Sequence, residues 1–263
     1  MNNYKFIHVE SKDSVGIIEF NNAKKLNALS KSLIEDILNA FAELNVPDVR
    51  CVILRAPNGS KVFSSGHDVS ELPKDKSEPP LSYLDPLRLL TRTVQRYPKP
   101  VISMIQGSVW GGAFELIMST DIVIASDKST FAMTPVNLGV PYNIAGIHNL
   151  IRDAGLHVMK EVLFTANPIS AEKALKIGLL NHIVPDDELE AKTLEIANLI
   201  CEKAPLAIAL IKEEMRILSE ANAINPEEFE RIQGLRQYVY ESHDYHEGLA
   251  AFFEKRKPNF IGK

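Results

Sequence analysis

The sequence predicts an α/β fold, with a strand-and-helix core over residues 1–190 and an all-helical region over 191–263. Two patterns carry this reading. Short β-rich runs alternate with helix-period segments through the first half, as in layered α/β architectures. From about Gly146 onward the apolar spacing becomes almost wholly helical. The chain, 263 residues at 45% hydrophobic and 24% charged composition, can bury a sizeable core and still solvate its outside.

Residues 4–9 and 15–20 are β-rich and separated by Ser11-Lys12-Asp13-Ser14, which reads as a hairpin. Ser32 with Glu35 has the spacing of a capping box, and Leu33, Ile34, Ile37, Leu38, Phe41 and Leu44 then share one helical face up to Pro47. A strand is expected at 51–54, closed by the turn residues Pro57-Asn58-Gly59-Ser60. The stretch at 71–80, ELPKDKSEPP, is too charged and proline-rich to enter a core and reads as an exposed loop. Asp85-Pro86 restarts a helix that runs to about Arg96. Strands follow at 101–105 and 122–125, with a strand-to-helix change after Gly107. Ser170 and Gly178 bracket a short helix. Further helices are expected at about 187–202, 204–221, 226–241 and 245–255.

The net charge is −5, and basic and acidic residues are interleaved, which disfavours a nucleic-acid partner. Residues 1–10 carry charges where a secretory signal needs a continuous apolar run, and no later stretch has spanning length without charge. A cytoplasmic protein without a membrane partner is the expectation. Two cysteines, Cys51 and Cys201, fit a reducing compartment and read as buried structural thiols. No histidine or cysteine has a partner at metal-ligand spacing that an exposed charged turn does not explain as well, so no metal site is expected.

Two glycine-containing turns carry the chemical signal. One is Ser64-Ser65-Gly66-His67-Asp68; the other runs from Gly107 to Glu115, GSVWGGAFE. Gly111-Gly112 sits where a helix begins, so unpaired amides and the positive helix end point the same way, as a developing negative oxygen requires. The plain alternative is that these glycines only permit tight turns. Neither turn has the spacing of a dinucleotide site or a P-loop.

Taken in order, these turns together with Lys25-Leu26-Asn27-Ala28-Leu29, Pro98-Lys99-Pro100-Val101-Ile102, Asp121, Pro135-Val136-Asn137-Leu138-Gly139 and Ser170-Ala171-Glu172-Lys173-Ala174 resemble the crotonase (enoyl-CoA hydratase/isomerase) superfamily over essentially the whole chain. The resemblance implies a ββα spiral core with a C-terminal helical trimerisation region. It also implies a homotrimer or dimer of trimers, and an acyl-CoA thioester as substrate with no separate cofactor. In that superfamily two backbone amides hold the thioester oxygen; the matching positions are His67 and Gly112. Losing one such donor costs about 3 kcal/mol of transition-state stabilisation. Coenzyme A contacts are implied for Lys25, Leu26 and Ala28, for Ser64, Ser65 and Gly66, and beside Gly111. Lys255, Arg256 and Lys257 match a phosphate-contacting end of the chain, although a solvated helix end explains them equally well.

A hydratase of this superfamily sets two glutamates on a water. Here Glu115 matches the first and Val136 the second. Loss of one fixed carboxylate suits a substrate that brings its own, since two like charges 4 Å apart repel by roughly 4 kcal/mol at an effective dielectric of 20. The segments 107–115 and 133–143 resemble more closely still the methylmalonyl-CoA decarboxylase branch. That implies decarboxylation to propionyl-CoA and CO2 through an enolate, with Tyr142 orienting the carboxylate and His67 and Thr134 as polar neighbours. The alternatives are a hydratase or isomerase using Glu115, and a catalytically silent acyl-CoA-binding scaffold.

Overall fold

A computed structural model of the chain describes residues 4–73, 85–219 and 226–262. The hairpin forms from β1 (Ile7–Lys12) and β2 (Val15–Phe20), paired antiparallel. The loop expected at 11–14 tightens to Asp13 and Ser14, both left-handed at φ +50° and +67°, the hairpin turn whose twist matches that of its strands. Helix α1 (Lys31–Glu43) is capped by Ser30 rather than Ser32: the Ser30 hydroxyl accepts from the Leu33 amide at 3.3 Å. Starting earlier lengthens the helix while Leu33, Ile34, Ile37 and Phe41 keep their buried face.

From there the chain winds as a spiral, each turn giving one strand to each of two sheets. β3 (Cys51–Arg55), β5 (Val101–Ile105) and β7 (Ile122–Ser126) join a six-stranded sheet; β4 (Val62–Ser64), β6 (Ser108–Trp110) and β8 (Thr130–Ala132) join a four-stranded one. Within each set the pairing is parallel. β3 and β5 are buried almost throughout, which is why they read as continuous apolar runs rather than alternating ones. Helix α2 (Pro86–Arg96) has the expected bounds, and α3 (Gly112–Ile117) follows β6.

The second half is not wholly helical. After α4 (Ile144–Ala154) and α5 (Leu156–Thr165) comes β9 (Ile169–Ser170), which closes the small sheet, and after α6 (Ala171–Lys176) comes β10 (His182–Val184), which adds to the large one. Ser170 caps α6 as expected, its hydroxyl accepting from the Lys173 amide. Helix α7 (Leu189–Cys201) lies against the large sheet, where Leu189 and Ala197 join Cys51, Ile53, Ile102, Met104 and Ile124. Burial pushes the Cys51 thiol up to about 12, consistent with an inert structural thiol. Helices α8 (Pro205–Ser219), α9 (Pro226–Tyr240) and α10 (His243–Glu254) complete the fold. Lys212 pins α8 to the core through the Asp121 carboxylate at 2.7 Å and the Lys99 carbonyl at 3.1 Å. Most of the stretch at 71–80, read as an exposed loop, lies outside the described residues.

Candidate active site

Three loops leave the carboxyl ends of the three parallel strands of the small sheet, and they meet around one cavity. Gly66-His67 follows β4, Gly111-Gly112 follows β6 and Thr134-Pro135 follows β8. Ligand sites gather at such strand ends because the backbone groups there have no further ladder partner. Ser65, His67, Gly111, Gly112, Glu115, Thr134 and Tyr142 all line this cavity.

The first two loops touch through their backbones. Gly66 has φ +85°, and a Cβ there would lie 2.4 Å from the Trp110 carbonyl oxygen and 2.8 Å from the Gly112 nitrogen. Gly111 has φ +52° and ψ −120°, which only glycine adopts freely. A Cβ on Gly112 would lie 3.2 Å from the His67 nitrogen, so the two amides are close neighbours. Neither amide donates to a backbone acceptor among the described residues. The loop carrying His67 is held in turn by residues 26–29: Leu29 N donates to Gly66 O at 2.7 Å, Ser65 N to Leu26 O at 2.9 Å, and the Ser64 hydroxyl to Asn27 O at 2.7 Å.

Two acid clusters flank these amides. On one side the Asp85 carboxylate accepts from the Leu87 and Arg88 amides through Oδ1, capping α2, while Oδ2 stands 3.6 Å from His67 Nε2. Burial alone would pull the His67 imidazole down, but the Asp85 carboxylate and then the Asp68 carbonyl outweigh it and hold it above its ordinary value. Burial would likewise raise Asp85, and contact with His67 and the two amides brings it below the ordinary carboxylate value.

On the other side Glu115, 6% exposed, accepts from the Tyr142 hydroxyl at 2.7 Å and from Asn143 Nδ2 at 3.1 Å. Burial raises the Glu115 carboxyl against the pull of these donors and of the Arg88 charge. Tyr142 is pushed well up, by burial and then by Glu115. Gly146 makes room for this cluster, since a Cβ there would lie 2.6 Å from the Tyr142 ring and 3.0 Å from the Glu115 carboxyl carbon.

Several expectations change here. Val136 does not line the cavity; it is 42% exposed and faces a separate groove beside Tyr238 and Phe260. Residues 135–138 form a 3-10 turn, in which positions three apart share a face, so Pro135 and Leu138 supply the apolar wall and Val136 turns away. Nor is Glu115 the lone acid of the cavity, because Asp85 enters from α2. The Tyr142 proton is committed to Glu115. Lys25, Leu26, Ala28, Ser64 and Gly66 lie outside the cavity lining: Ser64 and Gly66 shape the His67 turn, and Lys25 reaches Asp68 at 3.4 Å beside Leu26, which is left-handed at φ +53°. Arg256 is engaged by Glu247 and Glu254, leaving Lys255 and Lys257 of the basic run at the chain end.

Asp85, Arg88, Asn143, Arg236 and Tyr240 line the cavity and were not singled out as site residues from sequence. Asp85 carried a signal, the Asp-Pro cap, but it was legible only as helix chemistry. Removing the Tyr142 hydroxyl should expose the cost of the buried acid. Tyr142→Phe is expected to push the Glu115 carboxyl further up and to cost about 1–3 kcal/mol of stability. Decarboxylation should slow while coenzyme A affinity stays unchanged, which denaturant unfolding, steady-state rates and calorimetric titration would read.

A cavity at the strand ends of a ββα spiral, with two amides free of backbone acceptors near buried acids, is suited to a substrate oxygen that gains negative charge, and the chain belongs to the enoyl-CoA hydratase/isomerase family, whose model matches residues 10–263. Within that family, the methylmalonyl-CoA decarboxylase of Escherichia coli (strain K12) is 61% identical over 259 residues, covering 98% of this chain and 99% of that protein. A solved structure of methylmalonyl-CoA decarboxylase in complex with 2-nitronate-propionyl-CoA superposes with a TM-score of 0.97 at 61% identity, over 99% of this chain and 100% of that one. The short-chain-enoyl-CoA hydratase of Clostridium acetobutylicum is 32% identical over 255 residues, 95% of each chain.

Proposed function

We propose that this chain is a carbon-carbon lyase that decarboxylates methylmalonyl-CoA to propionyl-CoA and CO2. The observation that carries the reading is the close approach of the His67 and Gly112 amides beside the His67–Asp85 pair, in a chain 61% identical to a methylmalonyl-CoA decarboxylase.

In this reading the thioester oxygen accepts from the two amides. The bond from C2 to the carboxylate breaks, its electron pair passes into the thioester as an enolate, and CO2 leaves. The amides are worth most at that moment, when the oxygen is most negative, about 3 kcal/mol each. The enolate carbon then needs one proton. The His67 imidazole suits that role because Asp85 favours its charged form, while the 3.6 Å separation leaves the Nε2 proton short of a full hydrogen bond. The substrate carboxylate lies against the apolar wall of Pro135 and Leu138, with Thr134 as its polar neighbour. No cofactor is needed, since amides and imidazolium supply the charge stabilisation, and coenzyme A is part of the substrate.

The hydratase reading is weakened by Glu115, whose oxygens are taken up by Tyr142 and Asn143. We further read the chain as a cytoplasmic homotrimer or dimer of trimers: α8 exposes the large apolar side chains Leu206, Leu210, Met215 and Leu218, which a second copy could cover. No described helix is long and apolar enough to cross a membrane. The deciding assay incubates purified protein with methylmalonyl-CoA and, separately, crotonyl-CoA. Release of CO2 from the first, with the enoyl absorbance of the second unchanged, is the expected result; hydration without decarboxylation would reject the reading, and binding without turnover would favour a silent scaffold.

A further inference from the structure

Three segments that wall the cavity converge on a side chain that does not line it. Tyr245, near the start of α10, is 1% exposed. Its hydroxyl donates to the Pro73 carbonyl, next to the cavity residue Leu72. Its ring meets that of Tyr240, a cavity residue on α9, edge-on with centroids 5.0 Å apart. Its backbone lies against the third wall: a Cβ on Gly139 would come within 2.8 Å of the Asp244 carbonyl oxygen and 3.1 Å of the Tyr245 Cα. One turn further along, a Cβ on Gly248 would lie 2.3 Å from the Leu138 carbonyl oxygen, so α10 and the 135–138 turn touch backbone to backbone.

These contacts form a small apolar cluster of their own. Leu72, Tyr240, Tyr245 and Leu249 pack together with Val69 and Val140, apart from the two larger clusters that fill the sheets. Four of the six, Leu72, Val69, Val140 and Tyr240, also line the cavity. The amides of His67 and Gly112 sit on loops that leave the small sheet, whereas the Leu72, Val140 and Tyr240 part of the lining belongs to this cluster.

We propose that Tyr245 is a positioning residue for the acyl pocket, holding the Leu72, Val140 and Tyr240 walls at the spacing that fits a short branched acyl group over the two amides. It acts through those walls and touches no substrate. The proposal draws on the decarboxylase reading only for its choice of thioesters. Displacing a wall by a fraction of an ångström is enough to misplace a reacting group, because rate depends steeply on the geometry of the bound acyl chain.

Tyr245→Phe tests it, since it keeps the ring and removes only the donor to Pro73. The expected result is a fall of about tenfold in kcat/KM on methylmalonyl-CoA, with a smaller fall on malonyl-CoA, so that the preference between them narrows. Propionyl-CoA should bind about tenfold more weakly by calorimetry while free coenzyme A binds as before. Tyr245→Leu, which also removes the ring, should deepen both effects, and circular dichroism with urea unfolding checks that each variant is folded. A lower unfolding midpoint with the substrate preference and the propionyl-CoA affinity unchanged would reduce Tyr245 to a structural residue and overturn the proposal. Equal weakening of propionyl-CoA and free coenzyme A would overturn it too. If the unaltered protein decarboxylates neither thioester, the activity reading fails, and the two binding measurements still decide the role of Tyr245.

Discussion

Gly112→Pro is expected to lower kcat on methylmalonyl-CoA by about 10²- to 10³-fold while leaving the far-ultraviolet circular dichroism spectrum intact, the loss being that of one oxyanion donor. The position makes this a clean test. Gly112 is the first residue of α3 and Gly111 its cap, and the first helical position is where proline is tolerated, since its missing N–H has no intrahelical acceptor there. The ring does add bulk: a Cβ at 112 would lie 2.6 Å from Leu87 Cδ2, the far end of a side chain that can rotate, and 3.2 Å from the His67 nitrogen, the partner amide. Gly112→Ala is therefore the control, carrying the same Cβ but keeping the amide. An alanine variant near full activity beside a proline variant near none would assign the effect to the N–H. Equal losses would assign it to bulk and remove the amide from the mechanism.

The β1–β2 hairpin and the limits of α2 were legible in the sequence, and parallel pairing between strands far apart in the chain was not. Helix α2 has the bounds expected from Asp85-Pro86 because a cap and a proline act within a single turn. β4, β6 and β8 span three residues each, too short for alternation to register, and their stability comes from parallel neighbours distant in the chain. The same division runs through the site. The glycines at 66, 111 and 112 were legible because a tight backbone approach excludes any other residue. Val136, placed in the site by resemblance, lines a separate groove here because the 3-10 turn sends it outward while Pro135 and Leu138 face in, a geometry that matching positions along the chain does not show. Asp85 and Arg236 were hidden for a different reason: each reaches the cavity from a helix whose docking is set by packing elsewhere.

The pH dependence of decarboxylation should be governed by His67, and Asp85→Asn should move it. In the unaltered protein the imidazole is held above its ordinary 6.5. A rate that needs the protonated ring is then full below that raised value and falls as pH rises through it. Asparagine removes the anionic neighbour but leaves the burial, so the imidazole drops and the falling limb moves to lower pH. At neutral pH the loss should approach about 10²-fold, the usual worth of a positioned acid. Stability carries the same sign. His67, raised on folding, contributes stability that is fully present below 6.5 and is lost as pH rises through its folded value. Asp85, lowered on folding, contributes stability present above the ordinary carboxylate value of 3.8 and lost as pH falls through its folded value. The deficit of Asp85→Asn in urea unfolding should thus be widest between those limits and shrink toward either end. Asp85 also caps α2, but asparagine keeps an oxygen that can accept from the Leu87 and Arg88 amides and caps about as well, so the cap itself should change little. The shift of the kinetic limb is what separates proton supply from capping. A variant slower by the same factor at all pH values, with its limb in place, would leave Asp85 as a cap and require another proton donor.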